Sequence, residues 1–159
     1  MTPHEFTEQY RRHMPAVMRF LARRVESMWV EDLCSEVFLI AFQKRDQAPS
    51  EYELAWLYSI GGKLIANHRR RQITASKLVT ALSIPSYAPS AESLAFQDQE
   101  LGNAWASLSN KEQEVIALVA FEELSVMAAA KVLNISANAT SVRLNRARTK
   151  LAKLLEEQQ

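Results

Sequence analysis

Apolar residues recur along this chain every three or four positions, the repeat of an α-helix with one buried stripe. Four stretches carry it clearly: residues 3–26, 30–45, 51–73 and 110–121. In the second, Leu33, Val37, Ile40 and Ala41 share one side; in the third, Trp56, Leu57, Ile60 and Leu64 have core spacing. Near the C-terminus Thr140, Leu144, Ala147, Leu151 and Leu154 step by four, three, four and three, an inward stripe for a last helix. Start signals accompany the periodicity. Thr2 precedes Pro3 and stands three residues before Glu5. Ser50 with Glu53, and Ser109 with Glu112, repeat that spacing, so each pair can satisfy amides that a first helical turn leaves free.

Two further elements lie close together. Ser125 caps a short helix through VMAAAKVL, and Asn134 stands where a left-handed residue ends it. Ser136 caps the next helix, through ANATSVRLNRARTKLAKLL. Helix, tight turn, helix is the outline of a helix-turn-helix.

Residues 74–90, TASKLVTALSIPSYAPS, differ in character. Charge nearly vanishes, and Pro85 and Pro89 block helix continuation. This reads as an interdomain linker; the alternative is a long loop inside one domain. A helix is expected to resume after Ser90, through AESLAFQDQELGNAWASL. The expected fold is therefore all-α: two small helical domains, 1–73 and 91–159, joined by a linker at 74–90. Only 3 glycines among 159 residues, amid abundant helix formers, support that class.

Charge adds the first functional hint. The chain holds 19 Lys+Arg against 18 Asp+Glu, so any polyanion must be met by a local patch. Residues 143–153 form one: Arg143, Arg146, Arg148, Lys150 and Lys153, with no acid among them. On the same helix the small and polar Asn138, Ser141, Val142 and Asn145 lie mostly off the inward stripe. They could approach base edges in a major groove while the arginines reach phosphates. The alternative is a solvated basic face complementing the helix dipole.

A second basic site ends the third helix, where Arg69, Arg70 and Arg71 follow an aromatic front half. Upstream lies the polar loop QKRDQAPSEYE. Rings beside a basic track suit exposed, unstacked bases, although Trp56 also has core spacing. A third feature is acidic: Asp32, Ser35 and Glu36 share one face of the second helix. Next to a DNA surface such a face would repel phosphate, so it fits a basic protein partner better.

Other chemistry is thinly represented. His4, His13 and His68 have no metal-ligand spacing, and no Gly-rich phosphate loop appears. Cys34 falls in an apolar helical pattern, where a small core residue is expected. No enzyme activity, cofactor or metal is therefore expected. The N-terminal MTPHEFTEQYRR lacks a signal-peptide apolar stretch, and the longest apolar run, VIALVAF, is too short to span a bilayer. With a single cysteine, a cytoplasmic protein without membrane insertion is expected.

In order, VEDLCSEVFLIAFQK, WLYSIGGKLIANHRRRQ and LSNKEQEVIALVAFEELSVMAAAKVLNISANATSVRLNRARTKLAKLL resemble a small bacterial RNA polymerase sigma factor of the sigma-70 family. The resemblance is to the extracytoplasmic-function type and covers nearly the whole chain. It implies a first domain that binds core RNA polymerase and melts the −10 promoter element, and a second that reads the −35 element. By position, Asp32, Ser35 and Glu36 fall on the core-binding helix. Asp46, Gln47, Ser50 and Tyr52 fall on the loop that captures a flipped −10 base. Lys63 and Asn67, with Arg69, Arg70 and Arg71, fall on the helix facing the −10 strand. Asn138, Ser141, Val142, Arg143, Asn145, Arg146 and Arg148 fall on or beside the helix facing −35 DNA. Relatives are often held by an anti-sigma factor, which makes such a partner an expectation here.

Three departures stand out. Ser35 replaces the family's usual Gln. Ser59-Ile60-Gly61-Gly62-Lys63 replaces the frequent Arg-Ile-Ala-x-Asn, and two glycines inside a helix suggest a bend or a close approach. The recognition helix carries Thr140 in its inward position, with few base-reading donors nearby. A competing reading keeps the helix-turn-helix but makes the chain a transcriptional regulator that binds DNA without joining the polymerase.

Overall fold

A computed structural model describes residues 1–76 and 86–157. The described residues form eight α-helices and two short 3-10 turns, without strands, and divide into two compact units, Met1–Tyr87 and Ala88–Gln159.

The first unit opens with α1, Pro3–Tyr10, where Thr2 accepts from the Glu5 amide at 3.1 Å and the Glu5 carboxylate accepts from the Thr2 amide at 2.8 Å. The single helix expected over 3–26 is interrupted: a 3-10 turn, Arg11–His13, precedes α2, Met14–Ala22. Pro15 explains the break. It has no N–H for the Arg11 carbonyl, and its ring would press on that carbonyl in an unbroken helix. In the first turn of α2 it costs nothing. Next comes α3, Ser27–Gln43, starting before the expected residue 30. After a 3-10 turn, Arg45–Gln47, α4 runs from Glu53 to Ser76.

The expected cap at Ser50 is replaced. Glu53 is the first residue of α4 rather than its third, and Tyr52 before it is left-handed at φ 59°. The Glu53 carboxylate instead accepts from Arg12 at 3.0 Å and lies 3.7 Å from His13 Nε2. It thereby ties the α1–α2 break to the start of α4. Burial pushes the His13 imidazole below its ordinary pKa, with Glu53 opposing.

Val17, Phe20, Leu21, Val37, Ala41, Leu57 and Ile65 fill the core among α2, α3 and α4. Phe20 stacks on Tyr58 with ring centroids 4.3 Å apart. A Cβ at Gly61 would stand 3.2 Å from the Phe20 ring, so the first of the paired glycines marks a close approach of α2 to α4. Cys34 is a buried core residue whose thiol is pushed up by burial, as its apolar setting led us to expect.

In the second unit, residues 91–95 form turns rather than the expected helix, and α5 is confined to Gln99–Ala106. The stop is local: Ala95 is left-handed at φ 49°, and Asp98 caps the new helix by accepting from the Glu100 amide at 2.9 Å. Then follow α6, Asn110–Ala120, with the Ser109–Glu112 capping box in place, α7, Val126–Leu133, and α8, Ala137–Glu157. Trp105, Leu108, Val115, Ile116, Ala117, Leu144 and Ala147 form its core, and Trp105 Nε1 donates to the Pro89 carbonyl at 3.0 Å.

Of the stretch 74–90, α4 claims residues up to Ser76. Ser86 and Tyr87 belong to the first unit, and Ala88 onward to the second. Residues 77–85 lie outside the described ones. No described helix is long and apolar enough to cross a membrane.

Candidate nucleic-acid interface

The pair α7–α8 is built by its caps. Ser125 accepts from the Ala128 amide at 3.1 Å, and Asn134 ends α7 in the left-handed region at φ 56°, ψ 45°. Ser136 accepts from the Ala139 amide at 3.0 Å. The predicted inward stripe of α8 is the observed one. Thr140, Leu144 and Ala147 are buried, Leu151 and Leu154 partly so. Thr140 is sealed at 0% exposure, and its hydroxyl donates to the Ser136 carbonyl at 2.9 Å, so an inward threonine leaves no unpaired polar group.

With that stripe turned in, Asn138, Val142, Asn145, Arg146 and Arg148 are exposed, and Ser141 and Arg143 are half-buried. Val142 is 40% exposed, an apolar contact offered to solvent on a polar face. A shallow groove further along α8 is lined by Asn145, Arg146, Thr149, Lys150 and Lys153. Lys150 is already engaged, donating to Glu112 at 3.0 Å. Burial alone would raise the Glu112 carboxyl. Hydrogen bonds from the Ser109 amide and Lys150 outweigh it, and the group sits below its ordinary pKa.

The second basic site divides. Lys63, Asn67, Arg70 and Arg71 are exposed on α4, with Arg70 donating to Asn67 at 3.2 Å. Arg69 is turned toward the unit instead. Its guanidinium donates to the Ser86 carbonyl at 2.7 Å and the Arg24 carbonyl at 2.8 Å. The loop before α4 leaves Asp46, Gln47 and Ser50 exposed and Tyr52 half-buried. It is anchored from behind by Arg45, which lies over the Phe42 ring at 4.1 Å and donates to the Phe42 carbonyl. Trp56 is half-buried, edge-on to Tyr10 at 5.9 Å, so the aromatic front of α4 serves mainly as packing.

The acidic face of α3 stands free of the core, with Asp32, Ser35 and Glu36 all exposed. Sequence reasoning missed its apolar members. Met28 is 70% exposed, Leu39 55% and Trp29 37%. Met28, Asp32, Ser35 and Leu39 step by four, three and four, the seam spacing of a helix that packs against another helix. Beside them an open groove is lined by Trp29, Asp32, Leu33, Glu36, His68 and Arg71, among others. His68 packs edge-on to Trp29 at 5.0 Å, and burial, then Arg71, hold its pKa down.

Comparison with known proteins agrees with this layout. The family model described as Sigma-70 region 2 matches residues 9–73, and the one described as Sigma-70, region 4 matches residues 98–151. No curated protein matches by sequence. Among solved structures, the sigma factor RpoE in complex with the anti-sigma factor NepR from Bartonella quintana is similar. Its TM-score is 0.66 at 23% identity, over 96% of this chain and 97% of that one. CnrH in complex with the cytosolic domain of CnrY gives 0.62 at 24% identity, over 99% and 92%. At these identities the structures speak to the fold, and the two region models, in order and over most of the chain, speak to the family. The chain belongs to the sigma-70 family of RNA polymerase sigma factors, of the extracytoplasmic-function type: it binds core polymerase and directs promoter recognition and melting.

Proposed function

We propose that this work is divided among three surfaces. Asn138, Ser141, Val142, Arg143, Asn145, Arg146 and Arg148 on α8 meet the −35 element, small residues toward base edges and arginines toward phosphates. The loop carrying Asp46, Gln47, Ser50 and Tyr52 receives a flipped −10 base. Lys63, Asn67, Arg70 and Arg71 track the melted strand. Asp32, Ser35 and Glu36 meet the core polymerase. One observation carries the reading. The buried Thr140, Leu144 and Ala147 turn the opposite face of α8 outward just after a capped, left-handed turn.

Residues 1–73 and 91–159 then act as the two gripping domains, and 74–90 as the linker. The protein works in the cytoplasm as a binding subunit, without catalysis of its own, since the polymerase supplies the chemistry. One structural relative was solved with an anti-sigma factor and another with the cytosolic domain of CnrY, and an anti-sigma partner fits this chain.

The test is run-off transcription with purified core polymerase over a promoter library. Asn145→Ala should lower specific transcripts about tenfold and relax the −35 preference, which a lost base contact of roughly 1–3 kcal/mol would produce. An unchanged −35 preference would remove Asn145 from the recognition surface.

A further inference from the structure

The loop between α3 and α4 is held at both ends by residues 1–13. At its start, Arg45 Nε donates to the Met1 carbonyl at 3.0 Å, and its Nη1 to the Phe42 carbonyl at 2.9 Å. At its end stands Glu53, whose Oε1 accepts from Arg12 at 3.0 Å. Glu53 Oε2 lies 3.7 Å from His13 Nε2, and both atoms are buried without a hydrogen-bond partner among the described residues. In the first turn of α4, the Trp56 amide donates to the Tyr52 carbonyl at 3.1 Å, and the Trp56 ring meets Tyr10 edge-on at 5.9 Å. Between these ties Asp46, Gln47 and Ser50 are exposed.

Tyr52 carries the strain of this arrangement. It is left-handed at φ 59°, which crowds its Cβ against the following carbonyl. Such a backbone persists only where its surroundings over-determine it. The next residue supplies that constraint, since the Glu53 carboxylate is half-buried and fixed by Arg12. With Oε2 unbonded, the Arg12 hydrogen bond is the main offset to burying the charge. Burial holds His13 below its ordinary pKa, so at neutral pH the imidazole adds little positive charge. We infer that Arg12 and Glu53 are positioning residues for base capture: their bond holds Tyr52 left-handed and so fixes the direction in which the loop presents Asp46, Gln47 and Ser50. The inference rests on the reading of that loop as the contact for a flipped −10 base. Neither residue meets DNA itself. Loosening the bond lowers the share of molecules whose loop has its receiving shape, and apparent affinity for the flipped base falls by that share.

Arg12→Ala is the clean probe, because the Arg12 side chain is 65% exposed and its loss leaves no cavity. The variant should keep the wild-type circular dichroism, assemble with core polymerase and bind −35 duplex as wild type does. Binding of its holoenzyme to a single-stranded −10 oligonucleotide, with 2-aminopurine at each position in turn, should weaken about fivefold, as losing one charge-assisted hydrogen bond with an exposed partner would give. Hydrogen exchange of the amides within 46–52 should quicken by a similar factor in the full-length chain. Glu53→Gln should act alike, and the double variant should be no worse than either alone, since all three lack the same bond. Arg12→Lys, which can still donate to Oε1, should return capture to within about twofold of wild type. Undiminished capture by both Arg12→Ala and Glu53→Gln would overturn the inference. So would faster exchange without loss of capture, or a loss that Arg12→Lys does not repair. If instead Asp46→Ala and Gln47→Ala both leave capture intact, the loop is not the −10 contact and that reading fails, while faster exchange in Arg12→Ala would still mark the tie between Arg12 and the loop.

Discussion

At the scale of single residues, the best-read positions are those whose role is set by their own backbone. Asn134 stands at the end of the α7 pattern, where a left-handed residue ends a helix. It is left-handed, at φ 56°. Asn134→Ala should destabilise the second unit by about 1 kcal/mol, since alanine has no polar side chain to offset the left-handed strain. Asn134→Gly should leave it at least as stable as wild type. Urea unfolding followed by circular dichroism would show this, and equal stability of the Ala and Gly variants would contradict it. Arg69 was poorly read for the opposite reason. Three consecutive arginines look like one patch in sequence, but a helix turns about 100° per residue and spreads them over three faces. Which face meets the carbonyls of Ser86 and Arg24 depends on chain 17 and 45 residues away.

At the scale of elements, periodicity located the helices and left their ends to local competition. The α1–α2 break at Pro15 lies inside an apolar repeat that runs through it, so periodicity alone does not show it. The helix expected after Ser90 gives way to turns that end at the left-handed Ala95, Asp98 caps the next helix, and Phe96 between them packs edge-on to Trp105 at 6.1 Å. For α3, the acidic face was legible as Asp32, Ser35 and Glu36, while the exposed Trp29, Met28 and Leu39 were not. An apolar residue in sequence does not say whether the fold covers it. Glu36→Lys tests that face. Glu36 is exposed, so reversal should leave the fold intact and weaken core polymerase binding at least tenfold, about 1.4 kcal/mol. Unchanged assembly of the holoenzyme, measured by titration with labelled core, would take Glu36 out of the interface.

At the scale of the whole molecule, a chain with net charge +1 cannot hold DNA through a general basic coat. Two modest contacts must act together, which requires that both be presented at the right separation. The isolated chain should therefore bind a promoter duplex at physiological salt only about as well as random duplex, near 10⁻⁶ M or weaker. The holoenzyme should discriminate strongly. Gel-shift titration of the two forms on the same promoter checks this, and nanomolar, sequence-specific binding by the free chain would refute it. The sequence by itself determined the all-helical class, the capped turn between α7 and α8, the inward stripe of α8 and the division into two units. Each follows from patterns within a few residues, where helical period and capping chemistry act. Only tertiary structure decided that Arg69 faces inward, that Trp29 stays at the surface, and that Gly62 makes room for Tyr87. Those outcomes depend on which distant side chain or carbonyl arrives at a given face, and that information lies in packing rather than in local order.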